Sequence, residues 1–476
     1  AGRRRGRRTA MDPGPRSPGR ERGTDGRPSV LICGAGCTGA LTAALLGKEA
    51  AKRGRAAPRV TVWEWGRGPA GRMSSFWADV GGVRALADMG AQVLSVRDVS
   101  LLPPWLSPHL LPAEPAGLAS TRERGEGGWS HFHAPGGLAS LQRASLEEAG
   151  VDELCFQRRV VELAPVAATA RWRAAFGVGR SIAGQGDFDA VVFAGTARDA
   201  DGLDGLRRAL SAEQQRALGR VGYDHRLCVS LVLRPGLAGS LEALCRGRAE
   251  VSFDDEARSI LSLVSRQDVK GRTFADKACV VVLHSTSRFA AENLQAAKRA
   301  NQPPTKLGTR ALTESLAGLL GMPTRELEAA VLDSKTVHWR QCQVRQPLRL
   351  GSTITPGCLV ADTAPNLVLA GDYLAGPDVA GSFEGCLQSA KAAATSVSNA
   401  LFGNASGSAA PSGQRDTASA ATGVGGRWRG STAPAATAAA PAAPAPSAAT
   451  GAEAGASRQR RWRQKGPVED GAACQE

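Results

Sequence analysis

The chain has 476 residues and a formal charge of +15, long enough for two or three domains of ordinary size. Its ten cysteines are scattered, with no CxxC pair and no nearby histidine pair; this speaks against a metal site and against a small disulfide scaffold. No apolar run approaches the ~20 residues that a membrane-spanning helix needs. The basic balance does not point to nucleic acid, because the central region has neither a regular basic helix face nor aromatic residues interleaved with basic ones.

Taken in chain order, residues 1–28 hold nine arginines against three acids. At the other end, residues 403–476 run through Ala/Pro/Ser/Gly repeats, and together the two ends carry nine of the fifteen net positive charges. Both are expected to be disordered, because they bury too little apolar surface to offset an ordering entropy of about 1–2 kcal/mol per residue. The Arg-rich head lacks the apolar segment of a cleavable signal peptide, so a soluble protein, cytoplasmic rather than secreted, is expected.

The run Ser29–Cys33 reads as a buried strand, and it leads into Gly34-Ala35-Gly36-Cys37-Thr38-Gly39 and the apolar stretch ALTAALL. Strand, GxGxxG and helix in this order form a dinucleotide fingerprint. Gly34 permits the tight turn, Gly36 lets the backbone approach a pyrophosphate, and Gly39 lets the helix pack on the strand. Cys37 and Thr38, in the first helical turn, offer N–H groups to the phosphate. A lone GxGxxG is weak in a chain with 57 glycines, and such a turn is often only a turn. The context strengthens it: a second strand, Arg59–Trp63, ends on Glu64, where an acid accepts from ribose hydroxyls. Gly71-Arg72-Met73 follows, and the Arg72 guanidinium is suited to neutralising phosphate oxygens; the plainer alternative is a solvated surface loop.

Residues 134–150 read as a loop, a helix and a glycine stop. Two further strands are expected over Cys155–Leu163, with Val160 assigned to the cofactor set, and over Phe188–Ala194. Near the end, Pro365–Ala370 is an apolar strand that runs into Gly371 and Asp372, and a helix follows Gly381–Gly385. There a strand-end carboxylate accepts from a ribityl hydroxyl. The helix N-terminus, carrying Phe383, Glu384 and Gly385, approaches the flavin pyrimidine edge. The bland reading of this end is an ordinary strand, turn and helix with Asp372 capping the turn.

Over roughly residues 29–402 the chain resembles the renalase family of flavin-dependent oxidoreductases, within the amine-oxidase-like flavoproteins. The resemblance rests on VLICGAGCTGALTAALL, Gly71-Arg72-Met73, DMGAQ at 88–92, FHAPGGLASL at 132–141, VVLHSTS at 281–287, HWRQCQV at 338–344, LAGDY and SFEGCLQSA. It implies an α/β fold (α+β overall) of p-hydroxybenzoate-hydroxylase type. A Rossmann-type FAD-binding domain would form from 29–78, 132–200 and 352–402, and a mixed-sheet substrate domain from 79–131 and 201–351. It further implies noncovalent FAD and oxidation of 2- and 6-dihydro isomers of NAD(P), with O2 as the second partner and hydrogen peroxide and NAD(P)+ as products.

His284, Tyr223 and Trp339, followed by Arg226 and His338, are the candidates for the substrate face. An isolated histidine in an apolar strand is nevertheless more often a core residue, and a tryptophan more often packing. Two departures stand out: Ala70 occupies a position where the family has glycine, and Leu374–Ala380 alters the segment that faces the flavin. With only Tyr223 and Tyr373 in the chain, a paired-tyrosine cage for an amine is hard to build. Amine oxidation and a non-enzymatic secreted binding protein on the same fold are the competing readings.

Overall fold

The computed structural model describes residues 25–403, apart from 115–116, 119–127, 168, 179–180, 254–258, 273–276, 351–352 and 355–356. The expectation of disorder for the head and tail therefore lies, except for 25–28 and 403, outside the described residues.

In chain order the first half contains β1 (Ser29–Cys33), α1 (Cys37–Ala51), β2 (Arg59–Trp63), β3 (Ser75–Val80), β4 (Val83–Asp88), β5 (Gly117–Leu118), α2 (Ala139–Ala149), β6 (Glu153–Cys155) and β7 (Ala190–Phe193). The second half adds β8 (Arg226–Leu233), β9 (Glu250–Ser252), β10 (Leu261–Arg266), β11 (Cys279–Ser285), α3 (Ser287–Arg299), α4 (Pro304–Leu319) and β12 (Val331–Trp339). It closes with β13 (Cys358–Ala361), β14 (Ala364–Ala370) and α5 (Phe383–Phe402).

Two six-stranded sheets organise the molecule. The first has the order β13-β14-β7-β1-β2-β6, with every pair parallel except β13 and β14. Its central strand is buried on both faces. Leu31 and Cys33 join one core cluster while Val30 and Ile32 join another, as expected for a parallel strand covered on both sides. The second sheet, β12-β8-β11-β10-β9-β5, is mostly antiparallel. On one face Leu227, Val229 and Leu283 pack with Ala290 of α3 and Leu312 of α4. On the other, Val232, Val280 and Val282 pack against Leu86 and Met89 at the β3–β4 hairpin. The expected α/β architecture, a parallel sheet with additional antiparallel ones, is present.

Two strand expectations are corrected. The run Cys155–Leu163 is not one strand: Cys155 ends β6, while Arg159–Pro165 opens a separate three-stranded antiparallel sheet with Trp172–Val178 and Ser181–Phe188. The chain turns between them at Gln157, whose φ is 58°, and nothing in an apolar run announces a left-handed glutamine. The run Phe188–Ala194 likewise divides at Asp189, whose carboxylate accepts from the Ser29 N–H at 2.7 Å. The helix in 134–150 is α2, and Gly150 closes it at φ 56°, the left-handed cap expected of a glycine stop.

Candidate active site

The loop between β1 and α1 divides its glycines as the fingerprint predicts. Gly34 has φ 109°, and its N–H donates to the Trp63 carbonyl at 2.8 Å. A Cβ on Gly39 would stand 2.0 Å from the Gly34 oxygen, so only glycine lets α1 come this close. Gly36 differs: its φ of −69° suits any residue, and a Cβ there would meet nothing within 4 Å. Among the described residues nothing requires glycine at 36, whereas a bound group approaching the helix end would.

That helix end is suited to an anion. Among the described residues no side chain caps α1 and no acid lies in its first turn; apart from the backbone bridge of Gly36 to Ala70, the first-turn N–H groups and the positive end of the helix dipole suit phosphate oxygens. Thr38 is buried, and its carbonyl accepts from the Thr42 hydroxyl. The neighbouring Cys386 thiol of α5, together with burial, pushes the Cys37 thiol well above the usual range. Glu64 stands beside the loop, taking the Ala35 N–H at 2.7 Å on Oε2 and the Gly66 N–H at 2.5 Å on Oε1. Its carbonyl accepts from the Arg158 N–H at 2.8 Å. This brings Val160, half-buried in the three-stranded sheet, to the Glu64 end of the loop.

Gly71, Arg72 and Met73 form a 3₁₀ turn. The Arg72 guanidinium makes a bidentate pair with Asp372, at 2.8 and 2.7 Å, and also donates to the Cys342 carbonyl at 2.8 Å. Residues 300 positions apart in the chain thus meet at one point. Ala70, which stands where the resembled family has glycine, adopts φ 147°, a conformation that glycine accepts readily and alanine does not.

The C-terminal elements serve packing as well as the site. Gly371 donates its N–H to the Ser389 hydroxyl at 2.8 Å, and a Cβ there would run into the Tyr373 ring at 2.4 Å. Phe383 and Met73 share a core cluster with Leu41. Glu384 is buried and accepts from the Arg97 N–H at 2.6 Å and from Gln388. Gly385 allows α5 to approach the Val379 carbonyl, which a Cβ would meet at 2.4 Å.

On the second sheet, strand alternation sorts the substrate-face candidates. Arg226 pairs with Trp339 and Cys228 with His284, so these side chains share the face turned to the β3–β4 hairpin. There the Trp339 Nε1–H donates to the Met89 carbonyl at 2.7 Å. His338 pairs with Leu227 and lies on the opposite face, near His225 with ring centroids 6.1 Å apart. The grouping of His338 with Trp339 is therefore corrected by the pleat. Tyr223 is not gathered with His284 either: it lies in the core cluster of the first sheet, and its hydroxyl accepts from the Ala197 N–H at 2.9 Å.

The sequence reading missed a buried polar network behind this face. Arg272 pairs with Asp88, and Lys270 with Glu250 at 2.7 Å. Gln92 and Gln267, both buried, join the two pairs. The stretch SRQDVKGR at 265–272 reads as a solvated loop, because the acid and amide of DMGAQ that its cations serve lie 184 and 178 positions earlier in the chain. Burial, with Arg226 and Lys270 also nearby, depresses the His284 pKa to about 3, so this imidazole is neutral at ordinary pH.

No protein-family model matches the chain. It is 25% identical to mouse renalase over 373 residues, covering 76% of this chain and 96% of that protein. Among solved structures, it superposes on a putative protoporphyrinogen oxidase from an Exiguobacterium species with a TM-score of 0.56 at 10% identity, covering 78% of this chain and 98% of the other. A putrescine oxidase redesigned in its cofactor binding gives a TM-score of 0.54 at 13% identity, with the same coverage. Along most of its length the chain is thus similar to renalase in sequence, and it shares its fold with these two oxidases.

Proposed function

We propose that the chain is an FAD-dependent oxidase that binds its cofactor noncovalently and oxidises 2- and 6-dihydro isomers of NAD(P) to NAD(P)+, with O2 as the final acceptor and hydrogen peroxide as product. When bound, the flavin supplies the hydride acceptor and passes the electrons to O2. The cofactor would be held by residues 29–78, 132–200 and 352–402, which contribute every strand of the first sheet. The bare α1 terminus behind Gly36 takes the pyrophosphate, Glu64 the adenosine ribose, and Arg72 with Asp372 the phosphate and ribityl side. Residues 79–131 and 201–351 receive the substrate.

One observation favours a dinucleotide over an amine. Tyr373 is fully buried and Tyr223 is committed to the Ala197 N–H, so neither is available for an aromatic cage. The face that carries His284 presents a neutral imidazole instead, and the charges near it are already paired, Arg226 with Asp224 and Glu250 with Lys270. Among the described residues such a face offers no unpaired carboxylate to a cationic amine. A dihydronicotinamide releases hydride under the push of its own ring nitrogen, so the protein needs to position it and exclude water more than to supply a base. His284 and Trp339 do the positioning.

The test is anaerobic mixing of the flavin-loaded protein with 6-dihydro-NAD and, separately, with simple amines. Bleaching of the flavin absorbance by the dihydronicotinamide is expected. Bleaching by amines alone would overturn the assignment, and a colourless protein that takes up no added FAD would remove the cofactor reading itself.

A further inference from the structure

The amide of Gln92 is held in one orientation by charges it does not itself carry. Its Oε1 accepts from Gln267 Nε2 at 2.8 Å and from the Lys270 ammonium at 3.2 Å, and the same ammonium donates to the Gln92 carbonyl at 2.9 Å. Its Nε2 donates to the Asp88 carbonyl at 2.6 Å and the Gly90 carbonyl at 3.0 Å. Turning the amide over would set its NH2 against an ammonium and another amide NH2, and its oxygen against two carbonyls. The observed orientation is therefore fixed by the surroundings.

With Nε2 as the donor end, Gln92 also faces His284 Nε2 across 3.4 Å. The two hydrogens of this NH2 serve three acceptors, so the contact with His284 is a shared one; an Nε2–H on the ring would face an NH2 and find no acceptor, so that ring nitrogen is unprotonated and the proton resides on Nδ1. His284 is half-buried, and its Nδ1 makes no hydrogen bond among the described residues. The charged groups around the ring are Arg226 from β8, Glu250 from β9 and Lys270 from the turn after β10, with Glu250 already paired to Lys270.

We propose that Gln92 is a positioning residue that holds His284 as the Nδ1–H tautomer, offering a neutral hydrogen-bond donor to a substrate carbonyl such as a carboxamide, and that buried Lys270 sets Gln92 for this task. The role at the substrate rests on the functional reading above, whereas the tautomer does not. A neutral donor of fixed direction can orient an uncharged acceptor without moving a proton, which is what a hydride donor needs.

Flavin-loaded protein labelled with 15N-histidine provides the test, the His284 resonances being assigned by their loss in His284→Gln. In the unmutated protein, Nδ1 is expected to be protonated and Nε2 unprotonated from pH 5 to 8. A protonated Nε2 would overturn the proposal without any variant having to fold. Gln92→Glu places an acceptor where the donor was, and it is expected to move the proton to Nε2 and to add an acid limb to kcat/KM that the unmutated protein lacks. Lys270→Gln, which frees the amide of Gln92 to turn, should give a mixture of tautomers. Retained flavin absorbance shows that each variant keeps its site, and an unchanged tautomer and pH profile in Gln92→Glu would refute the coupling. For Gln92→Met we expect kcat/KM to fall about tenfold, carried mainly by KM, the worth of one hydrogen bond. If the tautomer is as expected but dihydronicotinamides do not reduce the flavin, the substrate reading fails and the Gln92–His284 lock stands.

Discussion

Substitution of Gly36 separates folding from cofactor binding. The backbone there, φ −69° and ψ −176°, is open to any residue, and a Cβ would meet no protein atom within 4 Å. Gly36→Ala should therefore leave the cofactor-free protein within about 1 kcal/mol of its original stability, the reduced freedom of the unfolded chain offsetting a slightly poorer helix cap. The larger side chain of Gly36→Val fills the space ahead of the uncapped α1 terminus, where the phosphate must sit. Losing one or two charge-assisted hydrogen bonds, at ~1.5–3 kcal/mol each, lowers FAD affinity at least ~10-fold. Gly39→Ala is the contrasting case: its Cβ would lie 2.0 Å from the Gly34 oxygen, so α1 must shift and the cofactor-free protein itself loses ~1–3 kcal/mol or more. Thermal midpoints without FAD, set beside FAD titrations followed by flavin fluorescence, read both effects. Gly36→Val that retains FAD within ~threefold, or that unfolds without FAD, would refute the assignment of this loop.

Three further outcomes follow from the same geometry. Ala70→Gly relieves a φ of 147° and should raise the urea midpoint by the equivalent of ~1 kcal/mol at unchanged m, the strain of ~1–3 kcal/mol outweighing the entropy of glycine. Arg272→Met strands the buried Asp88 carboxylate and should cost ~3–5 kcal/mol in chemical denaturation, of which Asp88→Leu in the same chain recovers a part. Burial lowers the pKa of His284 to about 3 and of His133 to about 4, so in acid the unfolded chain takes up protons first. Their contribution is complete above pH ~6.5 and declines as pH falls toward 4, at up to ~1.4 kcal/mol per pH unit for each histidine. A thermal midpoint that stays flat from pH 7.5 to 5 would contradict this.

What was legible in the sequence was what local physics determines. β1, the glycine turn, α1 and the acid at the end of β2 lie within 36 consecutive residues, and strand period, turn chemistry and helix start all favour the same structure there. The far strand β14 and its Asp372 were legible for the same reason, although the direct pair of Asp372 with Arg72 was not. Long-range partners leave no local pattern. The breaks at Gln157 and Asp189 were hidden because the apolar runs continue through them. His338 was grouped with Trp339 although neighbours on a strand face opposite ways, a period-2 rule that applies only once the strand itself is recognised. The buried pairs Asp88–Arg272 and Glu250–Lys270 escaped notice because isolated charges in a polar loop read as solvated until a partner is brought over them.

The strand order of the first sheet has a consequence for the chain during its synthesis. β7 stands between β1 and β14, and β14 emerges from the ribosome more than 170 residues after β7. Until it arrives, the apolar edge AVVF of β7 has no neighbour on that side, and an uncovered apolar strand edge invites pairing with other chains. Asp372, which closes on Arg72, is delivered with the same late segment. The nascent protein must therefore carry a half-built sheet with an adhesive edge while more than 170 further residues are added, and shielding that edge until β14 pairs with it favours a high yield.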